Sequence, residues 1–318
     1  MSAIGVLRLE RAPAAQLAAW SQSALDRPLA HDAELLVVEP SDSAIALGAL
    51  QRVSEVAAHL APNDVVLRRG SCGAEARVGP GTLWMQLALA RPSVLVACEP
   101  TRILNRYVRP LLHALAKVGA LAHYFDRDWI SLEKHPIGMI TFAHDATSGR
   151  ALVEAILAVE SPFALRPRGS YLGKAPATIA ELSAKVDLPR LAGAIADAYA
   201  TAYDRTLAPL DQAALGSSLA RAEPRDAAWT ATRDEAIGLV GAGRDASGRM
   251  RIGGELMASR DAIARLEERL AASPTPPDAA AIGRAVDESL QARGVALVGV
   301  RSLLSLRDAL VEAFASPP

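Results

Sequence analysis

The segment Arg68-Arg69-Gly70-Ser71-Cys72-Gly73-Ala74-Glu75 joins two guanidinium groups to a run of small residues. Small residues let the backbone approach a ligand closely, and their N–H groups can cradle an anion. The arginines add fixed positive charge and bidentate donors, which suit a carboxylate or a phosphate. A glycine-rich β-turn with solvated arginines has the same composition. Cys72 poses a second question. A nucleophilic thiol needs a depressed pKa and a base nearby, and without them it is a small filler.

Basic residues number 34, yet only Lys117, Lys134, Lys174 and Lys185 are lysines. Ammonium and guanidinium groups do different chemistry, so each lysine matters. Lys117 and Lys185 fall on expected helix surfaces and read as solvated. Lys134 sits beside His135 in a tight turn enforced by Pro136, and Lys174 sits in a loop. Asp128 stands at the start of an apolar strand, where it could hold a divalent cation or be an ordinary strand-end carboxylate.

These residues need elements to position them. Glu34–Glu39, Asp64–Leu67 and the alternating Leu83–Leu89 read as strands. Leu104, Val108, Leu111, Leu115 and Val118 recur at helical steps, so 101–118 reads as an amphipathic helix ended by Gly119. Strands follow at 121–125, 129–132 and 137–142, with a hairpin return at 152–159. Helices are expected over 12–26 and 190–203. The stretch 204–230 loses its periodicity and reads as a linker. Beyond it come an apolar hairpin (237–257), helices on Ile263–Leu270, Ile282–Leu290 and Leu306–Phe314, and an apolar segment at 295–300. The fold class is therefore α+β, with a large domain at 1–205, a linker at 206–230 and a small α+β domain at 231–318.

Composition narrows the functions. The 318 residues carry a net charge of -1 and 51% hydrophobic residues. That excludes wholesale disorder and a nucleic-acid binder working by bulk charge. No apolar run is long enough for a membrane helix, and the first residues lack the pattern of a signal peptide. Two cysteines are too few for a disulfide framework and fit a reduced, cytoplasmic compartment.

The segment at 68–83 resembles the RRxSGGGxVxxxxGxL signature of the lipoate–protein ligase A family. Arg68, Arg69, Ser71, Gly73, Gly81 and Leu83 match, while Cys72 and Ala74 replace two glycines. Gly48-Ala-Leu-Gln51 resembles the family's GRxQ element, with Ala49 at the arginine position. Tyr124–Trp129, Gly173–Pro176 and Gly253–Met257 resemble further family segments in the same order, so the resemblance spans nearly the whole chain.

The resemblance implies a biotin/lipoate ligase-like large domain with a C-terminal accessory domain. It also implies a two-step reaction. Lipoate or octanoate attacks the α-phosphate of ATP, with Mg²⁺, to give acyl-AMP and pyrophosphate; a lysine of an acceptor domain then takes the acyl group. Expected partners are lipoyl domains of 2-oxoacid dehydrogenase E2 subunits or the glycine cleavage H protein. Arg68, Arg69, Ser71, Cys72, Gly73, Ala74, Gly81 and Lys174 would line the adenylate site, and Asp128 would hold the metal. The family's K-x-x-G lysine falls on His135, counted back from Gly138, so Lys134 or His135 would take its place. Two alternatives stay open: acyl transfer from a carrier-bound octanoyl or lipoyl group, and a catalytically degenerate protein that binds an acyl ligand or a lipoyl domain.

Overall fold

The computed structural model describes residues 3–125, 128–165, 175–183, 186–272 and 277–316. In chain order, the first part runs β1 (Ile4–Ala12), α1 (Ala14–Ser23), β2 (Ala33–Pro40), β3 (Ala44–Leu47), β4 (Val66–Arg68), β5 (Ala76–Val78) and β6 (Thr82–Leu89). It continues with α2 (Ile103–Lys117), β7 (Ala122–Phe125), β8 (Trp129–Leu132), β9 (His135–His144), β10 (Ala151–Ala158), α3 (Ile179–Leu182), α4 (Leu188–Tyr203) and β11 (Leu207–Pro209).

Eight of these strands form one sheet, in the order β11-β1-β2-β6-β10-β9-β8-β7. Its β1 runs parallel to both β2 and β11, and every other pairing is antiparallel. A small sheet, β4-β3-β5, packs on one face with α1, while α2 and α4 cover the other. Successive strand residues point to opposite faces, which divides the apolar residues between two cores. Val37, Leu83, Met85, Ile140 and Phe142 face the two long helices, whereas Leu36, Val38, Trp84, Met139 and Ile156 face α1 and the small sheet. Both faces of β6 and β10 are covered, so both strands are buried along their whole length.

The expected helices and strands from 14 to 203 are present, and the short elements β3, β5 and α3 join them without having been expected. β1 is a strand that its mixed sequence, Ile-Gly-Val-Leu-Arg-Leu-Glu-Arg-Ala, did not signal. The stretch expected as a linker is tied down along its length. β11 adds an edge strand to β1, the Ala220 N–H donates to the Ala15 carbonyl, and the Glu223 N–H donates to the Val66 carbonyl. Asp226 caps the Val53 and Ser54 N–H groups. Arg52 then donates to the carbonyls of Ala227, Ala228, Gly243 and Arg244 while stacking 3.8 Å from the Trp229 ring.

The last part contains β12 (Ala231–Asp234), β13 (Leu239–Arg244) and β14 (Met250–Gly254) as an antiparallel sheet, then β15 (Met257–Ala258). It ends with α5 (Arg260–Ala271), α6 (Ala279–Leu290), β16 (Leu297–Val298, paired with β15) and α7 (Leu303–Ala315). It shares a core with the main sheet. One apolar cluster runs from Ile140 and Phe142 through Leu256, Met257 and Ala258 to Leu306 and Leu310. Among the described residues, no helix is long and apolar enough to cross a membrane.

Candidate functional site

The 68–75 loop leaves β4 and folds over β9 and β10. Its shape is set from within. Arg69 is 1% exposed and donates to the carbonyls of Ala46 (3.0 Å), Cys72 (2.8 Å) and Ala74 (2.7 Å). Its Nε donates to Ser71 Oγ at 2.8 Å. Arg68 reaches the carbonyls of Gly48, Ala49 and Gln51 and pairs with Glu223 at 2.8 Å. Both guanidinium groups thus act on this chain's own backbone.

The glycines serve close approach. A Cβ on Gly48 would lie 1.8 Å from the Gly73 carbonyl oxygen, so the two backbones touch. Gly73 itself has φ 86°, a conformation that disfavours a side chain. Gln51 locks the pair by accepting the Gly48 N–H and donating to Glu75. Gly81, with φ 86°, donates its N–H to Glu39 at the start of β6.

A buried polar network lies beneath the loop. Ser71 N–H donates to Glu154 Oε2 at 3.0 Å, and Trp84 Nε1–H donates to Glu154 Oε1 at 2.9 Å. Ser71 Oγ and Thr141 Oγ1 are 2.8 Å apart. Trp84, Glu154 and Thr141 are each at most 1% exposed, so they fill the space between loop and sheet. None of the three was singled out in the sequence, although Glu154 had a readable signal: it is the one charge inside the apolar run Ala-Leu-Val-Glu-Ala-Ile-Leu-Ala.

The C-terminal part covers the loop from above. Cys72 Sγ lies 3.6 Å from the Ala258 carbonyl oxygen, and the Cys72 N–H donates to the Phe142 carbonyl. Burial pushes the Cys72 thiol up to about 11. Such a thiol is the opposite of an activated nucleophile. Next to it, His144 Nδ1 is 2.9 Å from Ser259 Oγ, which also accepts the Ala296 N–H. Arg260 pairs with Asp26 at 2.7 Å and Asp145 at 3.4 Å, closing the seam.

The remaining sequence candidates lie apart from the loop. Lys134 is exposed in the two-residue β8–β9 turn, where Glu133 and Lys134 adopt φ 50° and 71°. Seven residues of strand separate it from Thr141, or roughly 23 Å at the usual rise. The His135 ring is held by the Ala175 carbonyl at 2.8 Å. Asp128 is fully buried where β8 begins, and its carbonyl accepts the Ile140 N–H. Lys174 lies outside the described residues. Among the described residues, no group of three or more His, Cys, Asp or Glu is arranged to hold a metal ion. Asp128, the residue expected to hold Mg²⁺, is buried with its carboxylate inside the fold.

No protein-family model and no curated protein matches this sequence. Solved structures do match its fold. A bi-partite lipoate protein ligase from Thermoplasma acidophilum superposes with TM-score 0.54 at 13% identity, covering 67% of this chain and 89% of that one. A lipoate-protein ligase A bound with ATP gives TM-score 0.53 at 11% identity, over 67% and 91% of the two chains. The fold is thus that of the lipoate–protein ligases. P. falciparum LipL1, in complex with lipoate, matches with TM-score 0.61 at 10% identity over 97% of this chain and 99% of its own.

Proposed function

We propose that this chain acts on a lipoyl-type acyl group in the manner of the lipoate–protein ligases. In the first step a carboxylate oxygen of lipoate or octanoate bonds to the α-phosphorus of ATP, and pyrophosphate leaves. In the second, the amine of an acceptor lysine bonds to the acyl carbon, loses a proton, and AMP leaves. The acceptor is a lipoyl domain, of an E2 subunit or of the H protein. The observation that supports this reading is the architecture: the likeness to a lipoate-bound structure runs over 97% of the chain.

In this arrangement Arg69 is a positioning residue that holds the loop's turn. It keeps the backbone from Ser71 to Ala74 in one shape before any ligand arrives, which spares the cost of ordering it later. Ala258 lies against Cys72, so an acid or nucleotide approaching the loop from that side meets the Leu256–Arg260 segment. Asp128 is the residue of this chain that would hold Mg²⁺, whose charge would offset that of the phosphates.

A specific observation favours a second reading, an acyl- or lipoyl-domain-binding homologue without adenylation. Trp84 and Glu154 fill the space under the loop, both arginines are engaged internally, and Lys134 sits on a distant turn. Transfer through a cysteine thioester is disfavoured by the buried, weakly acidic Cys72 thiol.

The test is to incubate the protein with lipoate, ATP, Mg²⁺ and an apo-lipoyl domain. Pyrophosphate release together with a lipoyl mass on the domain supports the ligase reading. Binding of the domain with no pyrophosphate released supports the second and sinks the first.

A further inference from the structure

A surface depression lies over the β1–β2–β6 end of the main sheet's helix-facing side. An open cavity of about 720 Å³ lies there, between the first half of α4 and Val6, Val37 and Leu83. Its origin is in the α4 sequence. Leu191 and Ile195 turn into the core, whereas the small residues Ala192, Gly193 and Ala196 meet the cavity, flanked by Leu188, Pro189 and Asp197. A Cβ added to Gly193 would meet no atom within 4 Å. The depression is open to solvent, with Gly193 and Asp197 exposed at its edge and the apolar residues of sheet and helix at its floor.

The rim is polar. Arg11 Nε pairs with Glu39 Oε2 at 2.7 Å, and Glu39 is held in place by the Gly81 N–H at 2.9 Å. Asp197 of α4 lines the opposite side. Among the described residues, two carboxylates and one guanidinium line the cavity. Glu39 is only 11% exposed, so its field is weakly screened at that point.

We propose that this cavity binds an amphiphile with one alkyl chain of medium length and a cationic or uncharged polar head. The chain lies against Val6, Val37, Leu83 and Leu188, and the head sits between Glu39 and Asp197. The site is on the sheet face away from the 68–75 loop, which packs on Thr141 and Glu154. Its occupancy therefore does not rest on the ligase reading.

Calorimetric titration of the full chain with n-alkylamines, n-alkanols and n-alkanoates of eight and ten carbons tests this, with no ATP, lipoate or lipoyl domain present. Each added methylene is expected to tighten binding about fourfold. Amine and alcohol are expected to bind at least tenfold tighter than the carboxylate of equal length. Ala192→Leu and Gly193→Leu are expected to weaken binding at least tenfold. Both replacements suit a helix, so a thermal melt no lower than wild type shows the loss is not unfolding. Unsaturable uptake, unchanged binding by both variants, or preference for the carboxylate would each overturn the proposal.

Discussion

Removing the Arg69 side chain would leave the carbonyls of Ala46, Cys72 and Ala74 buried without their donor. Hydrogen bonds to a charged group contribute about 1.5–3 kcal/mol each, and an orphaned buried acceptor adds its own cost. Arg69→Ala is expected to lose at least about 3 kcal/mol of stability in urea melts. Arg69→Lys should rescue little, because a single ammonium cannot span three carbonyls and the Ser71 hydroxyl. If Arg69→Ala unfolded at the wild-type midpoint, the internal role would be wrong. His144 makes a second residue-scale prediction. Burial holds its ring below the usual 6.5, against the partial pull of Asp261 and Asp145. The unfolded chain therefore binds the proton more readily than the folded one. Stability present above pH 6.5 is lost as pH falls through that value toward the folded pKa. His144→Gln should flatten this slope in melts taken between pH 7 and pH 5.

At the scale of elements, the β8–β9 turn is the informative piece. Two consecutive left-handed residues define a two-residue hairpin turn of the kind that favours Asn-Gly. Glu133 and Lys134 occupy it instead, each at about 1 kcal/mol or more of backbone strain. The pair Glu133→Asn with Lys134→Gly is therefore expected to raise stability by about 1 kcal/mol or more in thermal melts. Within the ligase reading, the same variant tests the role of Lys134. Loss of pyrophosphate release from a more stable protein would make Lys134 catalytic, whereas unchanged release would leave it a turn residue. The helix α2 was legible because its apolar residues recur at helical steps; β10 was legible as an apolar run broken only by Glu154. β1 was not, since Arg8, Glu10 and Arg11 interrupt its pattern and its pairing with β2 and β11 is set by distant sequence. β11 was hidden for the same reason: it is three residues long, ends in Pro209, and exists only because β1 offers an edge.

At the scale of the molecule, the two parts expected from sequence share one apolar cluster, clamped by Arg52, Trp229 and the His144–Ser259 seam. Unfolding of the intact chain is expected to be a single calorimetric transition. A chain ending at Thr230 would expose Ile140-side core now covered by Leu256, Met257 and Ala258, and is expected to bind a hydrophobic dye and melt without cooperativity. Two separate transitions in the intact chain would show independent domains. The candidate site was legible only as a place. The residue types of the 68–75 loop told where the backbone draws close. They could not tell that its arginines turn inward, because their partners are main-chain carbonyls from β3, the 48–51 turn and the loop itself.

Cys72 turns the C-terminal lid into something measurable. Cys72 is 2% exposed and its sulfur lies against Ala258, so a thiol reagent must wait for that contact to part. When reclosing outpaces the reagent, the rate of modification divided by that of the unfolded chain reports the fraction of time spent open. Cys98, half-buried and away from the seam, supplies the internal reference. If a lipoyl domain or an acid must displace the lid to reach the loop, its presence will shorten the protection of Cys72 and leave Cys98 unchanged. This one sulfur atom would thus act as a clock for opening, readable by mass spectrometry before any turnover is detected.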